Sequence, residues 1–223
     1  MVLFYDATTL AMKLALLMLA RWRVYGVEHV PRRGPLIVAA NHLSLADPPL
    51  LSASIPRRIV FMAKDEAYRS LFLGPLVRGF GAFPVRRGEA DRAALRRALS
   101  VLEAGGVLGI FPEGTRSRNR QLQPGRSGVA RIALRSGAPI LPVGIAGTEH
   151  IGGPGILLRP AITVRIGQPF HLPGEGGRIE GNKLAEYTAM IMDRIAELLP
   201  EEYLPKAGCV VEMTRGMQGQ RGI

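Results

Sequence analysis

Cysteine occurs once in the 223 residues, as Cys209 in a Gly-rich C-terminal stretch. That excludes an internal disulfide framework and any multi-cysteine metal site. Aromatic residues are also scarce, at 6%, too few for a base-stacking nucleic-acid platform. No zinc-finger spacing, aromatic RNA-binding motif or basic heptad helix occurs, so nucleic acid is not expected as a partner. A membrane-spanning helix needs about 20 consecutive apolar residues, and the uncharged run from Leu14 to Ala20 falls short of that. Arg21 and Arg23 follow this run instead of preceding it, which is the wrong order for a signal peptide.

Acidic residues are outnumbered by basic ones, 18 to 29, for a net charge of +11. Most of the positive charge is arginine, whose planar fork pairs with phosphate oxygens. With nucleic acid set aside, the implied partners are an anionic membrane surface and phosphorylated substrates. Leu3 to Ala20 reads as a helix with Asp6, Thr9, Lys13 and Ala20 on one narrow side and apolar residues over the rest. It either lies in the membrane interface or packs on the domain. Trp22 between Arg21 and Arg23 resembles an interfacial belt and favours the first option.

Beyond this helix the pattern alternates between short apolar strands and helices. Strands are expected at Val24 to Val30, Leu36 to Ala40, Arg58 to Met62, Ala82 to Val85, Val107 to Phe111, Ile140 to Ile145 and Ile162 to Ile166. Helices are expected from Pro48, near Leu71, and over Glu89 to Ala104, Val129 to Ser136 and Asn182 to Leu199. The fold class is a single α/β domain with a mixed, largely parallel sheet flanked by helices. Residues 1–23 form an N-terminal docking helix, 24–205 the domain, and 206–223 a loose tail.

Four segments carry candidate chemistry. Asn41-His42-Leu43-Ser44-Leu45-Ala46-Asp47 follows the apolar run Leu36 to Ala40, and strand ends are where α/β folds place reactive groups. His42 suits a general base, and a carboxylate on its second ring nitrogen would hold the tautomer. Asp47 can reach it if the chain turns, although Asp47-Pro48 also reads as a helix N-cap followed by proline at the first helical position. Ser44 reads as a turn or hydrogen-bonding residue. Phe111-Pro112-Glu113-Gly114-Thr115-Arg116-Ser117 follows another apolar run. Its Arg116 offers a phosphate fork, while Glu113 orients that arginine or accepts from the loop backbone. A solvated surface turn is the structural alternative. Gly81 to Arg87 ends in two arginines, and Ile140-Leu141-Pro142-Val143 carries a proline that belongs at an edge or bulge. Lys64, after the Ile59 to Met62 run, is one more candidate phosphate contact.

In this order, Asn-His-x4-Asp, Gly-x-Phe-x-x-x-Arg, Phe-Pro-Glu-Gly-Thr-Arg-Ser and Leu-Pro-Val, the chain resembles the lysophosphatidate acyltransferase family. The family arginine of the second block aligns with Arg87. Such members often carry a longer N-terminal membrane-docking section of two helices, whereas only one fits before Arg21. The resemblance implies transfer of an acyl group from an acyl carrier protein or coenzyme A thioester to a lysophospholipid hydroxyl. It would act on the cytoplasmic face of a membrane as a peripheral or monotopic protein, with no metal or organic cofactor. His42 and Asp47 would be catalytic. Arg87, Glu113, Gly114, Thr115, Arg116 and Lys64 would bind phosphate, supported by Asn41, Ser44 and Pro142. A sister enzyme with another acceptor, and a non-catalytic membrane-binding protein of the same fold, are the rivals.

Overall fold

Successive side chains of a strand point to opposite faces, so a strand that is apolar at every position must be covered on both sides. The computed structural model, which describes residues 2–70, 74–79, 82–85, 91–151, 159–173 and 181–205, shows this most clearly at β2 (Leu36–Ala40). All five of its residues are buried, with Leu36, Val38 and Ala40 in one core cluster and Ile37 and Ala39 in the other. The sheet around it comprises β1 (Arg21–Tyr25), β3 (Ile59–Lys64), β4 (Phe83–Val85), β5 (Val107–Ile110), β6 (Ile140–Ala146) and β7 (Ala161–Ile166). Its order is β1-β7-β6-β2-β5-β3-β4. Strands β6, β2, β5, β3 and β4 are mutually parallel, while β7 runs antiparallel to β6 and takes β1 with it. The sheet is mixed and largely parallel, as the alternating pattern predicts.

Helices α1 (Val2–Leu19) and α2 (Asp47–Ser54) cover one face, where Leu16, Leu50 and Leu51 meet Leu36, Val38, Leu141 and Ile162. Helices α5 (Arg92–Glu103), α6 (Gly128–Ser136) and α7 (Gly181–Ala196) cover the other, burying Ala98, Ala130 and Ile191 against Ile37, Leu108 and Ile140. Short helices α3 (Asp65–Arg69) and α4 (Gly74–Gly79) join β3 to β4; Leu71 lies outside the described residues. The start of α5 is set by Asp91, whose carboxylate accepts from the Ala93 and Ala94 N–H groups at 3.0 and 2.9 Å. Glu89, expected to open that helix, lies outside the described residues.

Two expectations change. The first strand is Arg21–Tyr25 and not Val24 to Val30, since Val27–His29 forms a 3-10 turn after Gly26. Trp22 and its flanking arginines therefore sit on the edge of the sheet, paired with Ile162 and its neighbours, and do not end a helix. The proline of β6 behaves as its chemistry demands. Three residues separate Ile166 from Phe170 where two separate Ile140 from Val143, so the β6–β7 register slips opposite Pro142. A residue without an N–H costs no ladder bond there.

Helix α1 leaves Leu10, Leu14, Leu17 and Met18 exposed, while Leu16 is buried and the Tyr5 hydroxyl accepts the Ile59 N–H at 3.1 Å. No helix among the described residues is long and apolar enough to cross a membrane.

Candidate active site

The parallel strands β6, β2 and β5 end side by side, and each is followed by residues that converge on one loop. After β2, Asn41 continues the sheet with its side chain: Nδ2 donates to the Ile145 carbonyl at 2.8 Å, and Oδ1 accepts the Ile145 N–H at 2.7 Å. The main chain then turns away, bringing Asp47 back to His42.

The His42 ring donates from Nδ1 to Asp47 Oδ2 at 2.8 Å. The same oxygen accepts the backbone N–H groups of Leu43 and Ser44 at 2.7 and 2.8 Å, and Oδ1 accepts the Thr148 hydroxyl at 2.6 Å. Backbone N–H groups only donate, so the oxygen they share is an acceptor and the His42 proton sits on Nδ1. In the neutral ring that leaves the lone pair on Nε2. The Asp47 side chain is fully buried, whereas that of His42 is 12% exposed. The ring stacks on Phe111 at 4.1 Å between centroids and 17° between planes, which fixes its tilt.

The N-cap reading of Asp47 does not hold. Helix α2 has Ala46 at the N-cap with no side-chain cap, and Asp47, its first residue, turns its carboxylate backward into the loop. Ser44 is a turn residue whose hydroxyl accepts the Ala46 N–H at 3.3 Å.

From β5 comes the second arm. Glu113, buried, accepts the His42 backbone N–H on Oε1 at 2.7 Å and the Gln123 N–H on Oε2 at 3.0 Å. The Ser117 N–H donates to the His42 carbonyl at 2.7 Å. Both backbone groups of His42 are thus held by the Phe111–Ser117 loop. Glu113 was expected among the phosphate-binding residues; its carboxylate instead faces inward and braces the loop, as its other reading allowed. Gly114 has φ of 71°, a region that suits glycine, and a side chain there would strike Arg126. Thr115 and Arg116 are exposed, and Arg116 makes no ion pair among the described residues. Lys64 closes β3 on the same edge of the sheet. Arg87, expected beside it, and the tail from Lys206 lie outside the described residues.

Thr148 escaped the sequence reading. It stands 101 residues from Asp47 and belongs to no recognisable block. Its place, immediately past the carboxyl end of a parallel strand, is the signal that could have found it. Gly147 makes the approach possible, with φ of 90° and no room for a side chain beside the Ala161 carbonyl.

Burial pushes the Glu113 carboxyl up from 4.5 to about 7; the His42 and Gln123 N–H groups oppose this and the Asp47 charge adds to it. A carboxyl raised by folding stabilises the folded state while protonated, fully below pH 4.5, and that contribution is lost as the pH rises toward about 7. Across this window the wild type is expected to lose about 3 kcal/mol relative to Glu113→Gln. Denaturant unfolding of both proteins at a series of pH values measures it, and parallel curves would contradict the dominance of burial.

The acyltransferase family model matches residues 21–146, from β1 to the end of β6. The chain is 28% identical over 189 residues to the 1-acyl-sn-glycerol-3-phosphate acyltransferase of Bacillus subtilis (strain 168), covering 84% of this chain and 93% of that one. It is 34% identical over 115 residues to the lyso-ornithine lipid O-acyltransferase of Pseudomonas aeruginosa, covering 51% of this chain and 44% of that one. The crystal structure of the 1-acyl-sn-glycerophosphate acyltransferase from Thermotoga maritima superposes with a TM-score of 0.67 at 27% identity, covering 88% of this chain and 80% of that one. The chain belongs to the acyltransferase family.

Proposed function

We propose that the protein transfers a fatty acyl group from a thioester to the free hydroxyl of lysophosphatidate, giving phosphatidate, at the cytoplasmic face of a membrane. The observation that carries this reading is the His42–Asp47 pair, with its proton fixed on Nδ1 and Nε2 left open on a partly exposed ring. Nε2 removes the hydroxyl proton as the acceptor oxygen attacks the thioester carbonyl. The carbon–sulfur bond breaks, and the imidazolium, stabilised by Asp47, returns the proton to the leaving thiolate. The donor carries its acyl group on acyl carrier protein or coenzyme A. Exposed Leu10, Leu14, Leu17 and Met18 on α1, next to Arg21 and Arg23 on β1, support contact with an anionic bilayer.

The acceptor phosphate binds to Arg116 and Thr115, with Lys64 and Arg87 contributing. Arg116→Ala is expected to raise the KM for lysophosphatidate about tenfold or more while kcat stays within about twofold. Steady-state kinetics on mixed micelles would read both constants, and an unchanged KM would move the phosphate site elsewhere. The reading as a whole is tested by mass spectrometry of lipids formed from lysophosphatidate and a mixture of acyl donors; absence of phosphatidate defeats it. Similarity to a lyso-ornithine lipid acyltransferase favours a second reading, in which the acceptor is another lyso-lipid. A panel of acceptors in the same assay separates the two.

A further inference from the structure

The residues that hold the His42–Asp47 pair are themselves held, and both lines of support meet at one residue, one through its side chain and the other through its backbone carbonyl. Tyr203 lies in a 3-10 turn, Glu201–Tyr203, after α7, and is 6% exposed. Its hydroxyl accepts the Gly147 N–H at 3.0 Å and donates to Glu149 Oε1 at 2.7 Å. Between these two residues stands Thr148, the donor to Asp47 Oδ1. The Tyr203 backbone carbonyl accepts the Leu122 N–H at 2.7 Å. The next residue, Gln123, donates to Glu113, which holds the His42 N–H.

We propose that Tyr203 is a positioning residue that sets the His42–Asp47 pair from two directions, through Thr148 on one side and Glu113 on the other. The first line fixes the carboxylate that orients the ring; the second fixes the backbone from which the ring projects. Both Thr148 and Tyr203 lie beyond residues 21–146, the segment the family model matches. The role assigned to Tyr203 rests on the catalytic reading of His42 given above.

Two features argue that the hydroxyl is more than a packing detail. Among the described residues Glu149 Oε2 is buried without a hydrogen-bond partner, and the Tyr203 hydroxyl is the short contact to this carboxylate; the His150 ring stands farther off at 3.6 Å. Buried polar groups that lose a partner carry the full cost of desolvation, which makes such a turn stiff while the contact lasts. Burial, reinforced by Glu149, also pushes the Tyr203 phenol above its ordinary range, so it stays a donor across any working pH.

The test compares Tyr203→Phe, Thr148→Val, Thr148→Ser and Ile195→Val with the wild type. Ile195 is buried in the core cluster that holds Tyr203 and touches none of these hydrogen bonds, so its variant lowers the Tm without the network. Tyr203→Phe is expected to lower kcat roughly tenfold with an unchanged KM for lysophosphatidate. Thr148→Val is expected to cost roughly 30-fold, and Thr148→Ser, which keeps the hydroxyl, to stay within about threefold of wild type. In samples labelled with nitrogen-15 histidine and free of substrate, the His42 Nδ1 proton is expected to exchange with water faster in Tyr203→Phe and Thr148→Val. A Tyr203→Phe enzyme with wild-type kcat and exchange overturns the proposal, as does an equal loss of kcat in Ile195→Val at matching Tm. Should Tyr203→Phe fail to fold, 3-fluorotyrosine at position 203 replaces it. Its fluorine resonance is expected to move on Asp47→Asn and on Thr148→Val, and a resonance unmoved by both overturns the proposal. A wild-type protein that acylates no lyso-lipid defeats the proposed function, and the exchange and fluorine measurements, which need no substrate, still decide the role of Tyr203.

Discussion

Replacing His42 with alanine is expected to lower kcat by about 10^2- to 10^4-fold, the range for losing a positioned general base. The fold should survive. The two tertiary hydrogen bonds made by the backbone at position 42, to Glu113 and from Ser117, are unaffected by the side chain. What the fold loses is the stack on Phe111 and one donor to an Asp47 that keeps three others. Thermal melts beside single-turnover kinetics would show both halves of the expectation. Acyl transfer within tenfold of wild type by a pure sample would remove His42 from the chemistry.

Asp47→Asn is expected to lower kcat by about 10^4-fold while the KM for the acceptor barely moves. The amide oxygen would keep the place where the His42, Leu43 and Ser44 N–H groups meet, and what the pair loses is the negative charge that stabilises the imidazolium. This substitution also carries a stability cost. Four donors converge on the Asp47 carboxylate, and an amide has only one oxygen to offer them. Each buried donor left unpaired costs about 1–3 kcal/mol. Had Asp47 been only a helix cap, the change would have cost about 1 kcal/mol with the rate untouched. A variant with near-normal kcat would remove Asp47 from the chemistry.

Much of this was legible in the sequence, for reasons that differ by element. β2, β5 and β6 could be read because strands covered on both faces must be apolar throughout, and short runs such as Leu36 to Ala40 admit little else. The His42–Asp47 contact could be anticipated because only four residues lie between the partners, well within one turn of chain. Pro142 announced a break in the ladder through its missing N–H. β1 was misplaced because an edge strand exposes alternate side chains, and Arg21-Trp22-Arg23 then carries no apolar run. The inward turn of Glu113 depends on the backbone N–H groups of His42 and Gln123, which no residue type reveals. Thr148 and Tyr203 reach the site only through tertiary folding, across 101 residues in one case and at the end of α7 in the other. Long-range hydroxyl contacts leave no periodicity behind.

Asn41 deserves a last consequence. By pairing with both backbone groups of Ile145, its amide stands in for a peptide unit, so the ladder runs one rung further than the strand it belongs to. The chain can leave β2 there without leaving a ragged edge. A loop sewn to the sheet at its root, and to the Phe111–Ser117 segment on both sides of His42, has little freedom to swing as a gate. Under the proposed function the base is assembled before any lipid arrives, and adaptation falls to the lipid, whose hydroxyl has to bend toward a stationary nitrogen.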